Sequence, residues 1–158
     1  MSPLFQTVLT VFHEAGWDSQ QVPDRPVITA GFDARNGRVS LHVQAFAELS
    51  AISVVAESSH LAHNPAIRER LAELAMRANL QLTVGNFEMD WPSGRLYFRA
   101  TNLFSEKGGD PRLIRGLVET TIIEMDRLTP LLDTLCRLDG PALAGFDLEQ
   151  ALAACEPE

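Results

Sequence analysis

Positive charge is scarce in this chain: 13 lysines and arginines stand against 21 aspartates and glutamates, for a net charge of -8. Non-specific nucleic-acid binding needs a basic surface, and so does attraction to an anionic membrane, so both partner classes are excluded. Cysteine is scarce too. Cys136 and Cys155 share no motif spacing and would pair only if the tail folded back, so they read as free thiols in a reducing cytosol. No segment approaches the roughly 20 apolar residues that a spanning helix requires. The stretch MSPLFQTVLTVFHEAG lacks a basic lead and its apolar residues are periodic, unlike a signal peptide. Repeats and low-complexity tracts are missing as well. These absences predict a soluble cytoplasmic protein, and 158 residues suit one domain with a real core.

What is present is a regular alternation of elements. Ser2-Pro3 is a cap followed by a first-turn proline, and Leu4, Phe5, Val8, Leu9 and Phe12 recur at helical spacing until Gly16. PVITAGFD and RVSLHVQAF alternate with period two around Asn36-Gly37, a hairpin signal. SAISVVAES reads as a third strand. Asn64-Pro65 opens a second helix whose buried stripe is Ile67, Leu71, Leu74, Ala75 and Ala78, with Asn79 as terminator.

NLQLTVGNFEMDWPSGRLYFR changes phase. Leu80, Leu82 and Val84 share one parity, Phe87, Met89 and Trp91 the other, which predicts a β-bulge at Gly85. A four-residue turn through Pro92-Ser93-Gly94 pairs Asp90 with Arg95, Glu88 with Tyr97 and Asn86 with Arg99. Asp110-Pro111 then opens a long helix that Pro130 should kink or split. The order α-β-β-β-α-β-β-α is an α+β fold, an antiparallel sheet packed against helices. It divides into a domain over 1–139 and an acidic tail over 140–158 carrying Asp147, Glu149, Glu156 and Glu158, with a short final helix or a frayed end.

Glu88 and Asp90, two apart on a strand, share a face and are the first candidates for acid–base work. Catalytic carboxylates need environments that push their pKa values apart. Here the expected neighbours are Arg95 and Tyr97 beside a surface turn, so the pair reads as a solvated hairpin face. His60 and His63 are spaced i, i+3 but lie in a loop, without the further ligands a metal needs. Ser58-Ser59-His60 lacks a nucleophile elbow, and Lys107-Gly108-Gly109 lacks phosphate-loop spacing. No catalytic, cofactor or metal residue is assigned. Apolar surplus remains: Ile122, Ile123, Met125, Leu128, Leu131, Leu132 and Leu135 exceed one helix face, so Ile123, Met125, Leu128 and Leu131 are assigned to a homodimer or partner surface.

The Asn79 position after a helix, the Gly85-x-Phe87 step, the Asp90–Gly94 turn and the Asp126…Pro130 pair, with LIRGLVETTIIEMDRLTPLLDTL, resemble the YbjN-domain family over residues 1–138. That resemblance implies a fold similar to the type III secretion chaperones, in a small, often dimeric sensory-transduction regulator or chaperone-like module. It implies no catalytic residues, and a partner that is another protein or an extended peptide segment. A non-enzymatic protein-binding module is the leading expectation. A small hydrolase or ligand-binding enzyme using Glu88/Asp90 or His60/His63 is the alternative.

Overall fold

A computed structural model describes residues 1–155. One six-stranded antiparallel sheet carries helices on one face, in the order expected, with a short first strand, a 3-10 turn and two short helices in the tail besides. Helix α1 spans Pro3–Ala15, with the Ser2 hydroxyl accepting from Phe5 N–H and Gly16 closing it at φ 69°. Strand β1, Gln20–Gln21, lies in what the sequence presents as a loop. Strands β2 (Val27–Asp33), β3 (Arg38–Phe46) and β4 (Ala51–Glu57) form the meander, with a single 3-10 turn at Ala47–Leu49. Helix α2 (Pro65–Asn79) leads to β5 (Asn86–Asp90) and β6 (Arg95–Leu103), and α3 spans Pro111–Arg137. Two short helices follow, α4 (Gly140–Ala144) and α5 (Leu148–Ala154). The tail is thus folded through Cys155; Glu156 and Glu158 lie outside the described residues.

The sheet order is β1-β2-β3-β4-β6-β5. Inward side chains of the central strands, among them Leu41, Val43, Ile52, Val54, Phe98 and Ala100, join Phe5, Phe12, Leu74, Ile114, Val118 and Leu128 in one core. The opposite face has no helical cover. The β5–β6 hairpin has the expected register, with Asn86 opposite Arg99, Glu88 opposite Tyr97 and Asp90 opposite Arg95. The bulge is absent, however: β5 starts at Asn86, and residues 80–85 are turn, bend or irregular, with Leu80 and Val84 exposed. Alternation before Gly85 is therefore not a strand pattern. Gly85 is needed for another reason. Its φ is 78°, and a Cβ there would stand 2.5 Å from the Phe98 ring and 2.8 Å from the Arg99 carbonyl oxygen.

Pro130 does not split α3, which continues through it from Pro111 to Arg137. A proline in a helix leaves the carbonyl four residues earlier without its donor, here that of Asp126. The Asn36 side chain from the β2–β3 turn supplies one: Nδ2 donates to the Asp126 carbonyl at 3.1 Å and to its Oδ2 at 3.2 Å, while Asn36 N–H donates to Oδ1 at 2.8 Å. Asn36 does not adopt positive φ in this turn; Gly37 does, at 153°. The Asn-Gly pair makes the hairpin as expected, but the asparagine's work is to fasten that hairpin to α3.

Candidate functional site

The four α3 residues assigned to a contact surface do not form one. Met125, Leu128 and Leu131 are 2%, 0% and 7% exposed, and Ile123 alone faces out at 58%. The sequence overestimated the free apolar surface because α3 is covered on several sides, packing on β3, β4 and β6 and flanked by α1 and α2. A helix enclosed in this way is apolar well beyond one stripe.

The uncovered sheet face is polar and internally bonded. Arg99 crosses diagonally to Glu88, with Nε 2.8 Å from Oε1 and a second donor 3.3 Å from Oε2, and also donates to Ser53 Oγ at 3.3 Å. Thr101 donates to the same Ser53 Oγ at 3.0 Å, and Arg95 bridges to Glu57 at 3.2 Å. Glu88 is therefore held by Arg99 rather than by the neighbours expected for it. Asp90 accepts from the Ser93 hydroxyl at 2.5 Å and caps the turn. His42 lies in the same face. Burial, and then the Arg99 guanidinium, hold its imidazole below the ordinary range, against an upward pull from Glu57.

His60 and His63 part company. His63 is exposed, whereas His60 Nε2 stands 2.5 Å from Asp133 Oδ1 and its Nδ1 3.2 Å from Ser58 Oγ. Serine, histidine and aspartate in line are the composition of a hydrolytic triad, and sequence reasoning missed the aspartate because it lies 73 positions away. The geometry does not suit attack on a substrate. Ser58 is 4% exposed, and its Oγ already accepts the His60 N–H at 3.0 Å. The arrangement ties the segment after β4 to α3. Asp126 and Asp133, two helical turns apart, each hold one loop from the same end of the sheet. Among the described residues, no group of three or more His, Cys, Asp or Glu is placed to hold a metal ion. No described helix is long and apolar enough to cross a membrane.

A concavity of about 770 Å³ opens beside β1 and β2. Trp17–Gln20 form one wall, Thr29–Asp33 the other, and Ser40, His42 and Glu57 the floor. Here the sheet has an unfinished edge. Strand β1 pairs only with Ile28 and Thr29, so Ala30–Asp33 have β3 on one side and no strand on the other. Val22 N–H bonds outward to the Val27 carbonyl at 2.9 Å, and strict alternation along β2 then turns the N–H and C=O of Gly31 and Asp33 outward as well. The far edge is treated differently. Asn79 at the end of α2 accepts the Phe87 N–H at 2.7 Å and donates to the Phe87 carbonyl at 3.2 Å, occupying β5 as a strand would.

The sequence profile of the YbjN family, described as "Putative bacterial sensory transduction regulator", matches residues 5–134. The chain belongs to the YbjN family. Among solved structures, the crystal structure of YbjN from E. coli, described as "a putative transcription regulator", superposes with a TM-score of 0.61 at 9% identity, covering 82% of this chain and 91% of that one. The crystal structure of the ExsC–ExsE complex has a chain that superposes with a TM-score of 0.59 at 14% identity, covering 81% and 92%. No curated protein sequence matches the chain. At these identities the structural likenesses concern the fold, and they agree with the α+β class read from element order. The profile match spans the Asn36–Asp126 and His60–Asp133 contacts and stops before α4 and α5.

Proposed function

We propose that this YbjN-family chain is a cytoplasmic, non-enzymatic module that binds an extended segment of another protein along the open edge of β2. The observation that carries this reading is the stretch Ala30–Asp33, unpaired by strand and bordering a groove of about 770 Å³. An edge of outward N–H and C=O groups binds an extended chain through main-chain hydrogen bonds, and the adjoining concavity selects its side chains. Two further points support it. The polar candidates for catalysis are engaged in structure, Glu88 by Arg99, Asp90 by Ser93 and His60 by Asp133. A chain of similar fold, ExsC, is resolved in complex with a second protein, ExsE. The homodimer expected earlier is retained only at the exposed Ile123, since its companions are enclosed.

The test is affinity capture from the cell of origin with the wild type and with Asp33→Pro. Proline at the last residue of β2 removes an outward donor while leaving the β2–β3 bonds in place. The captured partner should be lost with Asp33→Pro, and the Gly31 and Asp33 amides of the wild type should gain exchange protection in the complex. Equal capture by both proteins would sink the edge assignment.

A further inference from the structure

The tail is seated on α2 in a way that describes a second binding site. Leu143, Leu148 and Leu152 are buried, Phe146 and Ala151 pack against the core, and both α4 and α5 contact α2. The anchor is Arg70, a largely covered α2 side chain. Its Nε donates to the Leu143 carbonyl in the last turn of α4 at 3.1 Å, and a second guanidinium nitrogen donates to the Phe146 carbonyl in the link to α5. A guanidinium meeting terminal carbonyls neutralises the negative end of a helix. The seated segment 140–155 carries Asp147 and Glu149 and no Lys or Arg, whereas α2 carries Arg68, Arg70 and Arg77 against Glu69 and Glu73. The contact itself is apolar apart from Arg70: Arg77 pairs with Glu73 on α2, Arg68 lies over the Trp91 ring, and Asp147 caps α5 through Gln150 N–H.

Three features make this occupant detachable. Helices of five and seven residues do not hold their shape in water without a partner surface. They hang from α3 by Leu138 and Asp139, both extended. They also lie beyond residue 134, where the match to the family ends, while α2 and α3 lie almost wholly within it.

We propose that residues 140–155 are a displaceable occupant of a helix-docking groove on α2, and that the competing occupant is a short amphipathic helix of a second protein, presenting leucine-like side chains to the groove and main-chain carbonyls to Arg70. This deepens the protein-binding reading above and rests on it. A tethered occupant acts at a high effective concentration, so the groove is closed until the tail is released.

The probe is a fluorescent synthetic peptide of residues 139–155, titrated against the full chain and against its Leu148→Asp/Leu152→Asp variant, in which the tail is undocked. The variant should bind the peptide about a hundred-fold more tightly than the wild type, as release of a tethered competitor implies. Adding Arg70→Ala should weaken that binding, and a peptide carrying the same two aspartates should not bind. In the unaltered chain, amides of 148–154 should exchange faster than those of Val118–Leu132. Equal binding by wild type and variant would overturn the proposal. So would tail amides that exchange only with global unfolding, or a variant whose circular dichroism shows loss of the sheet. Concentration-dependent dimers of the wild type that disappear with Leu148→Asp/Leu152→Asp would assign the groove to a second copy and overturn the second-protein occupant. Failure in any of these arms, with capture still lost in Asp33→Pro, removes the groove and leaves the β2 edge standing.

Discussion

The contact between Asn36 and Asp126 makes a quantitative prediction. Asn36→Ala removes two side-chain hydrogen bonds, one to the Asp126 carboxylate and one to the carbonyl that Pro130 leaves without a donor, while the backbone bond from Asn36 N–H survives. A bond to a charged group contributes about 1.5–3 kcal/mol and a neutral one about 1 kcal/mol. Asn36 is itself exposed although Asp126 is only 8% exposed, so the lower end applies, a loss of about 2 kcal/mol. In a domain of this length that lowers the melting temperature by roughly 4–8 °C. The decisive measurement is a double-mutant cycle with Pro130→Ala by urea denaturation. That substitution restores an N–H four residues after Asp126, and this donor occupies the same carbonyl, so Asn36→Ala should cost about 1 kcal/mol less in that background. Equal losses in both backgrounds would show that Asn36 does not serve the proline-orphaned carbonyl. A loss under about 0.5 kcal/mol, the scale of an ordinary surface change, would refute the latch altogether.

Other perturbations have equally definite outcomes. The His42 imidazole is held below its ordinary range in the folded chain, so the unfolded chain binds more protons. Stability is retained above about pH 6.5, the free imidazole value, and falls as pH drops from there toward the lowered folded value. His42→Gln should flatten that part of the curve of urea midpoint against pH, and an unchanged slope would contradict the assignment. Burial first, and the Asp133 carboxylate second, raise the Cys136 thiol. Its alkylation by iodoacetamide near pH 8 should therefore be slow in the folded protein and accelerate in denaturant; equal rates would be inconsistent with that environment. Asn79→Ala strips the Phe87 N–H and C=O of their partner at the β5 edge, costing about 1–3 kcal/mol and raising light scattering on concentration. Asn79→Asp, which keeps the acceptor but loses the donor, should fall between; a soluble Asn79→Ala protein of unchanged stability would refute the edge cap.

Local pattern carried the fold a long way. The β5–β6 register followed from alternation on both sides of Pro92-Ser93-Gly94, because one slip would have put Phe87 and Phe98 on the polar face. The three cap-proline pairs at Ser2, Asn64 and Asp110 each begin a helix, since a side-chain acceptor and a residue needing no donor suit that position wherever they occur. The failures have a common cause. Leu80, Leu82 and Val84 alternate by coincidence in a turn, and no local rule separates that from a strand. Pro130 was read from its own helix alone, so the donor that compensates it, 90 positions before Asp126, was invisible.

The candidate sites were less legible than the fold for the same reason, and α3 shows why. Met125, Leu128 and Leu131 are surplus only if a helix has one neighbour; with a sheet beneath it and a helix on either side, the same residues are core. Counting apolar residues on one element thus measures how many neighbours it has, and cannot say whether those neighbours belong to the same chain. The unfinished β2 edge has the reverse property. Nothing in VITAGFD distinguishes a strand paired on both sides from one paired on one, because main-chain donors carry no sequence signal. It becomes visible only when β1 is found to begin at Gln20, opposite Thr29, and to reach no further along β2. In this fold the residues that advertise themselves, the paired acids, His60 and an apolar helix, are already satisfied within the chain, and the groups that β1 leaves without a strand partner are backbone.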